Sequence, residues 1–160
     1  MDINIYVNQK KINPMCRSAI NEYVKRLSPY CNMKIVCASG HIKYTAGHSS
    51  AYFAVIPATD NPAYYGYGNC YKGYLDYESS IDNTVSHTIS SEKFASQINS
   101  ITSSGISKLN YYIGFTQDEI EMMETFSVCT ISPSNEMTAI LLSEQIYRAY
   151  TILNNITYHK

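Results

Sequence analysis

Two strand-like segments near the start of the chain are separated by one helical segment, and this arrangement limits the available folds. The residues from Ile3 to Val7 alternate apolar and more polar side chains, which is typical of a strand. A helix is predicted to begin at Asn13-Pro14, because proline suits a first helical turn, and to end at Ser28-Pro29. The segment from Met33 to Ala38 is predicted to be a second strand. A strand, a helix and a strand in this order form a right-handed crossover between two parallel strands.

Strands and helices continue to alternate in the rest of the chain. Further strands are predicted at Ala51 to Pro57, Lys108 to Gly114 and Phe126 to Ile131. Further helices are predicted after the capping residue Ser90, after the capping box of Thr116 and Glu119 as far as about Thr125, and from Glu136 onward. The predicted class is therefore α/β, with a mostly parallel sheet and flanking helices. We expect residues 1–160 to form one domain with a sizeable core.

The helix that follows Glu136 has a strong amphipathic pattern. Its apolar stripe recurs at three- and four-residue spacing, at Ala139, Leu142, Ile146, Ala149 and Leu153. More apolar residues flank this stripe, so we expect the helix to pack on two surfaces. Asn154-Asn155 can end it, and residues 156–160 then carry an aromatic ring, an imidazole and an ammonium group.

Composition excludes several classes of protein. Apolar content of 45% with 16% charged residues is typical of a globular chain, and a net charge of −1 provides no global positive field for nucleic acid. Any RNA contact must therefore come from a local patch or from two subunits together. The five cysteines form no CxxC pair and are interpreted as reduced thiols, and His41 and His48 lack companion metal ligands, so no metal is expected. Without a signal peptide or a membrane-length apolar run, we expect a soluble cytoplasmic protein.

Tyrosines are concentrated in the middle of the chain. Eight of the 16 tyrosines lie between Tyr44 and Tyr77, interleaved with glycines in the later part of this segment. One interpretation is a stacking surface for unpaired bases. The other, which we favour, is a pair of short strands or a loop whose tyrosines cover the domain while their hydroxyl groups stay in contact with water.

Two strand ends are candidates for a binding site. In parallel sheets ligands bind beyond the carboxyl ends of the strands. The segments from Ile113 to Thr116 and from Val128 to Ile131 are such ends. From these residues alone the prediction is a cofactor or nucleotide pocket of unspecified type.

Three motifs resemble the RlmH family of SPOUT-class methyltransferases. The run EQIYRAY (Glu144 to Tyr150), followed by Tyr158-His159-Lys160, is similar to the C-terminal signature of that family. FSVCTIS (Phe126 to Ser132) resembles its LSxMTLP loop, and EYVKRL (Glu22 to Leu27) resembles its first helix. The resemblance covers both ends of the chain well and the middle poorly.

The resemblance implies an architecture and an activity. Family members methylate N3 of a pseudouridine in large-subunit ribosomal RNA, form a C-terminal trefoil knot, bind S-adenosylmethionine in the knot loops, and work as homodimers in which the partner's tail completes the site. It assigns cofactor contacts to Ile81, Gly114, Phe115, Ser127, Val128, Cys129, Thr130 and Ile131. It assigns the catalytic and RNA-contacting roles to Arg148, Tyr158, His159 and Lys160.

The chemistry implied for these residues is simple. The N3 imide is a weak acid, so His159 is the candidate general base, and Arg148 and Lys160 could hold a phosphate or offset negative charge. Tyr158 could stack on the target base. A surface ion pair with Glu144, four residues earlier, is the alternative for Arg148, and both roles can hold together. An idle terminal histidine is the alternative for His159.

The sequence also departs from the family pattern. The glycine-rich turn GGPxG is replaced by Gly114-Phe115-Thr116-Gln117-Asp118, and Ala139 stands where the family has an arginine. Two alternatives to the implied ribosomal RNA methyltransferase therefore remain open. One is a non-catalytic relative that serves as an RNA-binding or interaction dimer, and the other is a methyltransferase with a changed substrate.

Overall fold

The computed structural model describes residues 1–40, 49–57, 88–121 and 123–157. These residues contain five strands and four helices. In chain order they are β1 (Asp2–Val7), α1 (Pro14–Leu27), β2 (Asn32–Cys37), β3 (Ser50–Val55), α2 (Ser91–Ser103), β4 (Lys108–Ile113), α3 (Gln117–Ile120), β5 (Glu124–Phe126) and α4 (Asn135–Leu153). The predicted alternation and the α/β class are confirmed.

All the described strands run parallel, in the order β2-β1-β4-β3-β5. The register aligns the ends of the central strands, because Val7 pairs with Ile113 and Val55 also pairs with Ile113. The carboxyl ends of β1, β4 and β3 therefore lie side by side at one edge of the sheet. The crossover predicted from the first 38 residues is present as β1, α1 and β2.

One face of the sheet carries the main core. Helices α1, α2 and α4 cover this face, and α4 contacts both other helices as well as β1 and β4. Four residues of the predicted α4 stripe are completely buried, namely Ala139, Leu142, Ile146 and Ala149. The expectation that α4 packs on two surfaces is confirmed, and its predicted end at Asn154-Asn155 is also correct.

The other face of the sheet is aromatic and polar. The rings of Tyr6 and Tyr112 stack with centroids 4.9 Å apart, and Phe115 packs edge-on against Tyr112. Asn4 Nδ2 donates to Asn110 Oδ1 at 3.0 Å, and Asn110 Nδ2 donates to the carbonyl of Ala51. Because Asn110 is only 6% exposed, these bonds offset the free-energy penalty of burying its amide.

Two predicted boundaries are wrong. The helix after Thr116 ends at Ile120, not near Thr125, because the chain then joins the sheet as β5. That strand covers Glu124–Phe126, whereas it was predicted from Phe126 to Ile131. Its ladder with β3 ends at the pair of Val55 and Phe126.

Several predictions fall outside the described residues. They concern most of the tyrosine-rich segment, and also Cys70, Ile81 and residues 158–160. Cys16, Cys31, Cys37 and Cys129 are free thiols, as interpreted from the sequence. Within the described ranges, no helix has both the length and the apolar character needed to cross a membrane.

Candidate functional site

The carboxyl ends of three neighbouring strands form the candidate crevice. β3 lies between β4 and β5, so Ile56, which directly follows β3, lies between the turn at Gly114 and the loop that begins at Ser127. The backbone N–H of Ile56 donates to the carbonyl of Phe126 at 3.0 Å. We define the crevice by Ile56, Gly114 and the loop Ser127–Ile131. Sequence reasoning missed Ile56; the signal was the apolar run from Ala51 that ends at Pro57.

Gly114 makes the turn after β4. Its φ of +77° is a conformation that other L-residues rarely adopt. A Cβ built on Gly114 would lie 2.6 Å from Cγ of Asn135, the first residue of α4. Asn8 Nδ2 donates to the carbonyl of Gly114 at 3.0 Å, which ties this turn to the end of β1. Backbone conformation and close packing therefore both require glycine here.

The loop from Ser127 to Ile131 is held at one end and open at the other. The carbonyl of Ser127 accepts from the N–H of Ile89, and Ser127 Oγ donates to the carbonyl of Cys129 at 3.0 Å. Thr130 and Ile131 are exposed. Within the described ranges, no backbone N–H from Val128 to Ile131 donates to a backbone carbonyl. The loop therefore presents donors that a polar ligand could occupy.

A buried hydroxyl lies next to this loop. Thr88 forms an isolated parallel bridge with Ser127. Thr88 Oγ1 is buried and has no hydrogen-bond partner among the described residues. An unpaired buried hydroxyl is energetically unfavourable, and such groups are rare outside sites with a missing partner.

The first turn of α4 is fastened to the loop that follows β1. Glu136 Oε1 accepts from the backbone N–H of Asn13 at 2.6 Å and from Gln9 Nε2 at 3.1 Å. The bond from Asn13 is the largest cause of a lowered pKa for Glu136, so the carboxylate stays ionised. Burial of Cys16 and its contact with Glu136 raise the pKa of that thiol.

The departure from the family's glycine-rich turn has a local structural explanation. The N–H and the hydroxyl of Thr116 both donate to Glu119 Oε2 at 2.9 Å, so the predicted capping interaction begins α3. Asp118 lies in the first turn of α3, where an acidic side chain is favoured, and Phe115 packs on Tyr112. A capped helical turn thus replaces a flexible glycine turn, and the bulk of Phe115 is packed on the aromatic face of the sheet.

Arg148 lies on α4 in a hydrogen-bonded chain. Its Nε and Nη2 donate to Glu144 Oε1 at 3.0 and 2.8 Å. Gln145 Nε2 donates to Glu144 Oε2, and Ser91 Oγ at the start of α2 donates to Gln145 Oε1. The alternative read from the sequence, an ion pair of Arg148 with Glu144, is confirmed, and the pair sets the direction of the guanidinium.

Arg148 and the crevice lie far apart within one chain. Arg148 follows Asn135 by 13 residues of continuous helix, which corresponds to about 20 Å along α4. Asn135 contacts Gly114 at the crevice, whereas the later turns of α4 lie toward the opposite edge, where Tyr150 stacks on Tyr30. The structure therefore brings together Gly114 and the Ser127–Ile131 loop but does not bring Arg148 to them.

A shallow cavity lies at that opposite edge. It has a volume of about 320 Å³, and its lining includes Met1, Tyr30 and Cys31. Burial raises the pKa of the Cys31 thiol to about 11, so the thiolate is scarce at neutral pH. Both its distance from the carboxyl ends of the strands and the inertness of Cys31 argue against a catalytic role for this cavity.

Comparisons with known proteins agree with this arrangement. A family model described as a predicted SPOUT methyltransferase matches residues 76–159, which is more than half of the chain. A protein of Natranaerobius thermophilus named ribosomal RNA large subunit methyltransferase H is 31% identical over 150 residues, covering 88% of this chain and 87% of the relative. The chain belongs to the SPOUT methyltransferase family, in its RlmH branch.

Other members match over their full length. Ribosomal RNA large subunit methyltransferase H 1 of Thermoanaerobacter sp. (strain X514) is 29% identical over 160 residues, covering 100% of both chains. The methyltransferase H of Limosilactobacillus reuteri (strain DSM 20016) is 29% identical over 172 residues, also covering 100% of both. The family resemblance inferred from the motifs is therefore confirmed, and the parallel α/β sheet is that of a SPOUT family member.

Proposed function

We propose that this chain is a cytoplasmic methyltransferase that uses S-adenosylmethionine to methylate N3 of a pseudouridine in large-subunit ribosomal RNA. Family membership supports the methyl-transfer reaction, and the names of the relatives support ribosomal RNA as the substrate. The observation that carries the proposal is the crevice formed by Ile56, Gly114 and the Ser127–Ile131 loop at the carboxyl edge of the sheet. In the proposed enzyme, residues 1–160 form one domain with the family's C-terminal knot.

The crevice has the groups that the proposed cofactor needs. The cofactor supplies an electrophilic methyl group when it is bound. Backbone N–H groups from Val128 to Ile131 can hold its polar atoms, and the buried Thr88 hydroxyl lies beside them. Gly114 and the backbone of Phe115 form the opposite wall, and Ile56 supplies an apolar surface. Ile81, assigned from the family pattern, stays a proposed contact, and Ile56 joins it because β3 places it in the crevice.

Arg148 and the C-terminal residues 158–160 bind and activate the RNA substrate in this proposal. His159 takes the proton from N3 as general base, and Tyr158 stacks on the target base. Arg148, directed by Glu144, and Lys160 bind phosphate and offset the negative charge that develops on the base. These roles require a pH near neutrality, where an unperturbed histidine can accept a proton.

The proposed enzyme is a homodimer. Within one chain Arg148 lies about 20 Å along α4 from the crevice, which is too far for one protomer to hold cofactor and substrate groups together. A symmetric pair allows the crevice of one protomer to face Arg148 and the tail of the other. Each dimer then contains two composite sites.

Calorimetric titration with S-adenosylmethionine and with its demethylated product tests the cofactor. No heat at millimolar ligand would favour the non-catalytic relative that binds RNA or a partner, for which the replaced glycine turn is the structural argument. Binding without methyl transfer to unmethylated large ribosomal subunits would favour the changed substrate.

A substitution in the tail tests the general base. We expect His159→Ala to lower methyl transfer by about 10²- to 10⁴-fold, the usual contribution of general-base catalysis, while cofactor binding stays unchanged. Thr157→Ala, at an exposed position two residues earlier, is the matched control and should keep its activity. Unchanged turnover in His159→Ala would remove this residue from the mechanism.

A further inference from the structure

Arg26 lies beside two tyrosine rings from different helices. It belongs to the last turn of α1, where cations are favoured by the helix dipole. Its guanidinium carbon lies 5.8 Å from the ring centroid of Tyr23 on α1 and 5.9 Å from that of Tyr147 on α4. The two rings are themselves 6.3 Å apart and tilted by 51°. Arg26 therefore lies against the seam between α1 and α4, within cation–π distance of both rings.

Arg26 differs from the nearby Lys25 and Arg148 because no carboxylate in the described part of the chain forms an ion pair with it. Lys25 is paired with Glu22 at 3.1 Å, and Arg148 is paired with Glu144 at 2.8 Å. Among the described residues, no carboxylate oxygen lies within ion-pairing distance of Arg26, and its side chain is exposed. The seam thus presents an exposed cation on a protein whose net charge is only −1.

Aromatic contacts leave the hydrogen-bonding edge of a guanidinium available. The π-face of an arginine can stack on rings while its N–H groups, which lie in the guanidinium plane, still form a bidentate contact with a phosphate. Contact with Tyr23 and Tyr147 restricts the rotamers of Arg26 before any ligand arrives, so less entropy is lost on binding. An exposed arginine held by two rings is therefore suited to phosphate recognition.

We infer that Arg26, held by Tyr23 and Tyr147, is a backbone-phosphate contact for RNA. Tyr147 is adjacent to Arg148, so Arg26 lies against the same turn of α4 that carries Arg148. The choice of RNA as the ligand rests on the proposed function. In this scheme Arg148 acts near the target base, and Arg26 binds a phosphate farther along the same strand and positions the RNA without reading its sequence.

Salt dependence of RNA binding provides the test. The probe is a short fluorescein-labelled single-stranded RNA, titrated by anisotropy between about 50 and 200 mM salt. Removing one phosphate contact should lower the slope of log K against log salt by about 0.7, the value for a single-stranded nucleic acid. We expect this shift for Arg26→Met, which keeps an apolar chain against the rings. Arg26→Lys should keep part of the slope, because it keeps the charge but loses the planar group.

Arg17 provides a matched control on the same helix. It lies nine residues before Arg26, which places it on about the opposite side of α1, and it is also exposed. Arg17→Met removes the same charge without touching the seam, so the slope should stay that of the wild type. An equal loss in both variants would mean diffuse attraction and would overturn the inference.

Two further outcomes separate the inference from its alternatives. If Arg26→Met lowers the unfolding temperature but leaves the slope unchanged, the tyrosine contacts only join α1 to α4, and the inference is wrong. If the wild type binds RNA through Arg26 but methylates no ribosomal substrate, the proposed enzymatic function fails and the phosphate contact stands. A slope lowered by about 0.7 in Arg26→Met, with Arg17→Met unaffected, supports the inference directly.

Discussion

Gly114 combines a φ of +77° with the side chain of Asn135 packed where a Cβ would be. Thr88 combines a buried hydroxyl with the absence of a partner among the described residues. Gly114 adopts its backbone conformation without strain, whereas the unpaired Thr88 hydroxyl is a local cost at the crevice that the rest of the fold must offset. Both residues lie next to the two loops that are proposed to hold the cofactor.

Gly114→Ala should lower the free energy of unfolding by more than the cost of placing alanine at a positive φ. Gly105 also has a positive φ, of +86°, but a Cβ added there would have no atom within 4 Å. We expect Gly105→Ala to cost about 1–2 kcal/mol and Gly114→Ala about 1–3 kcal/mol more, because of overlap with Asn135. Urea unfolding measures both. In an Asn135→Ala background the extra cost should disappear; if it persists, the clash is not with Asn135.

Helix α4 shows how a periodic pattern becomes a core. Its stripe at Ala139, Leu142, Ile146 and Ala149 is completely buried against α1, α2 and the sheet. Four of the five stripe residues predicted from spacing are buried, and Leu153 is half-buried, because a helix repeats every 3.6 residues whatever its partners are. Its first turn is tied to the loop after β1 by Glu136, a contact between residues more than 120 positions apart.

Leu142→Ala tests how much the buried face of α4 contributes to stability. Removing a fully buried leucine side chain should lower the free energy of unfolding by about 2–5 kcal/mol, since surrounding groups collapse only in part. Met137→Ala on the same helix, at a residue 46% exposed, should change it by no more than about 0.5 kcal/mol. Denaturant unfolding compares the two, and equal losses would contradict the assigned orientation of α4.

Glu136 should make stability depend on pH in the acidic range. Its pKa is lowered in the folded protein, so its contribution is present above the unfolded pKa of about 4.3 and is lost as the pH falls through the folded pKa. We expect the stability difference between the wild type and Glu136→Gln to shrink steadily on going from about pH 6 to about pH 3. Chemical unfolding at each pH measures this difference. A gap that stays constant would show that the carboxylate contributes nothing through ionisation.

The overall fold sets the distance between the crevice at Gly114 and Arg148, the two parts of the proposed site. Strand order places the crevice at the carboxyl edge of the sheet, and α4 runs away from it, so that Arg148 lies about 20 Å along the helix. Neither distance nor strand order can be changed by local substitutions. A complete site therefore requires a second copy of the chain under the proposed function.

Mixing two inactive variants tests this composite site. Gly114→Ala impairs the crevice, and Arg148→Met impairs the substrate side. When equal amounts are unfolded and refolded together, half of the dimers are mixed, and each mixed dimer has one intact site of two, giving roughly a quarter of wild-type activity. Methyl transfer to unmethylated large ribosomal subunits is the measurement. No recovery, with mixed dimers verified by mass spectrometry, would show that both residues act within one protomer.

Local patterns were sufficient for the α/β class, the parallel crossover, the caps at Ser90 and Thr116 and the buried stripe of α4, because these depend on spacings within a few turns or strands. The C-terminal motifs were sufficient for the family. Tertiary structure was needed to place β3 between β4 and β5, which brings Ile56 to the crevice, and to shorten β5 to Glu124–Phe126. It was also needed to separate Arg148 from Gly114. Such features depend on which distant strands pair and on how a helix crosses them, and no spacing along the chain encodes that choice locally.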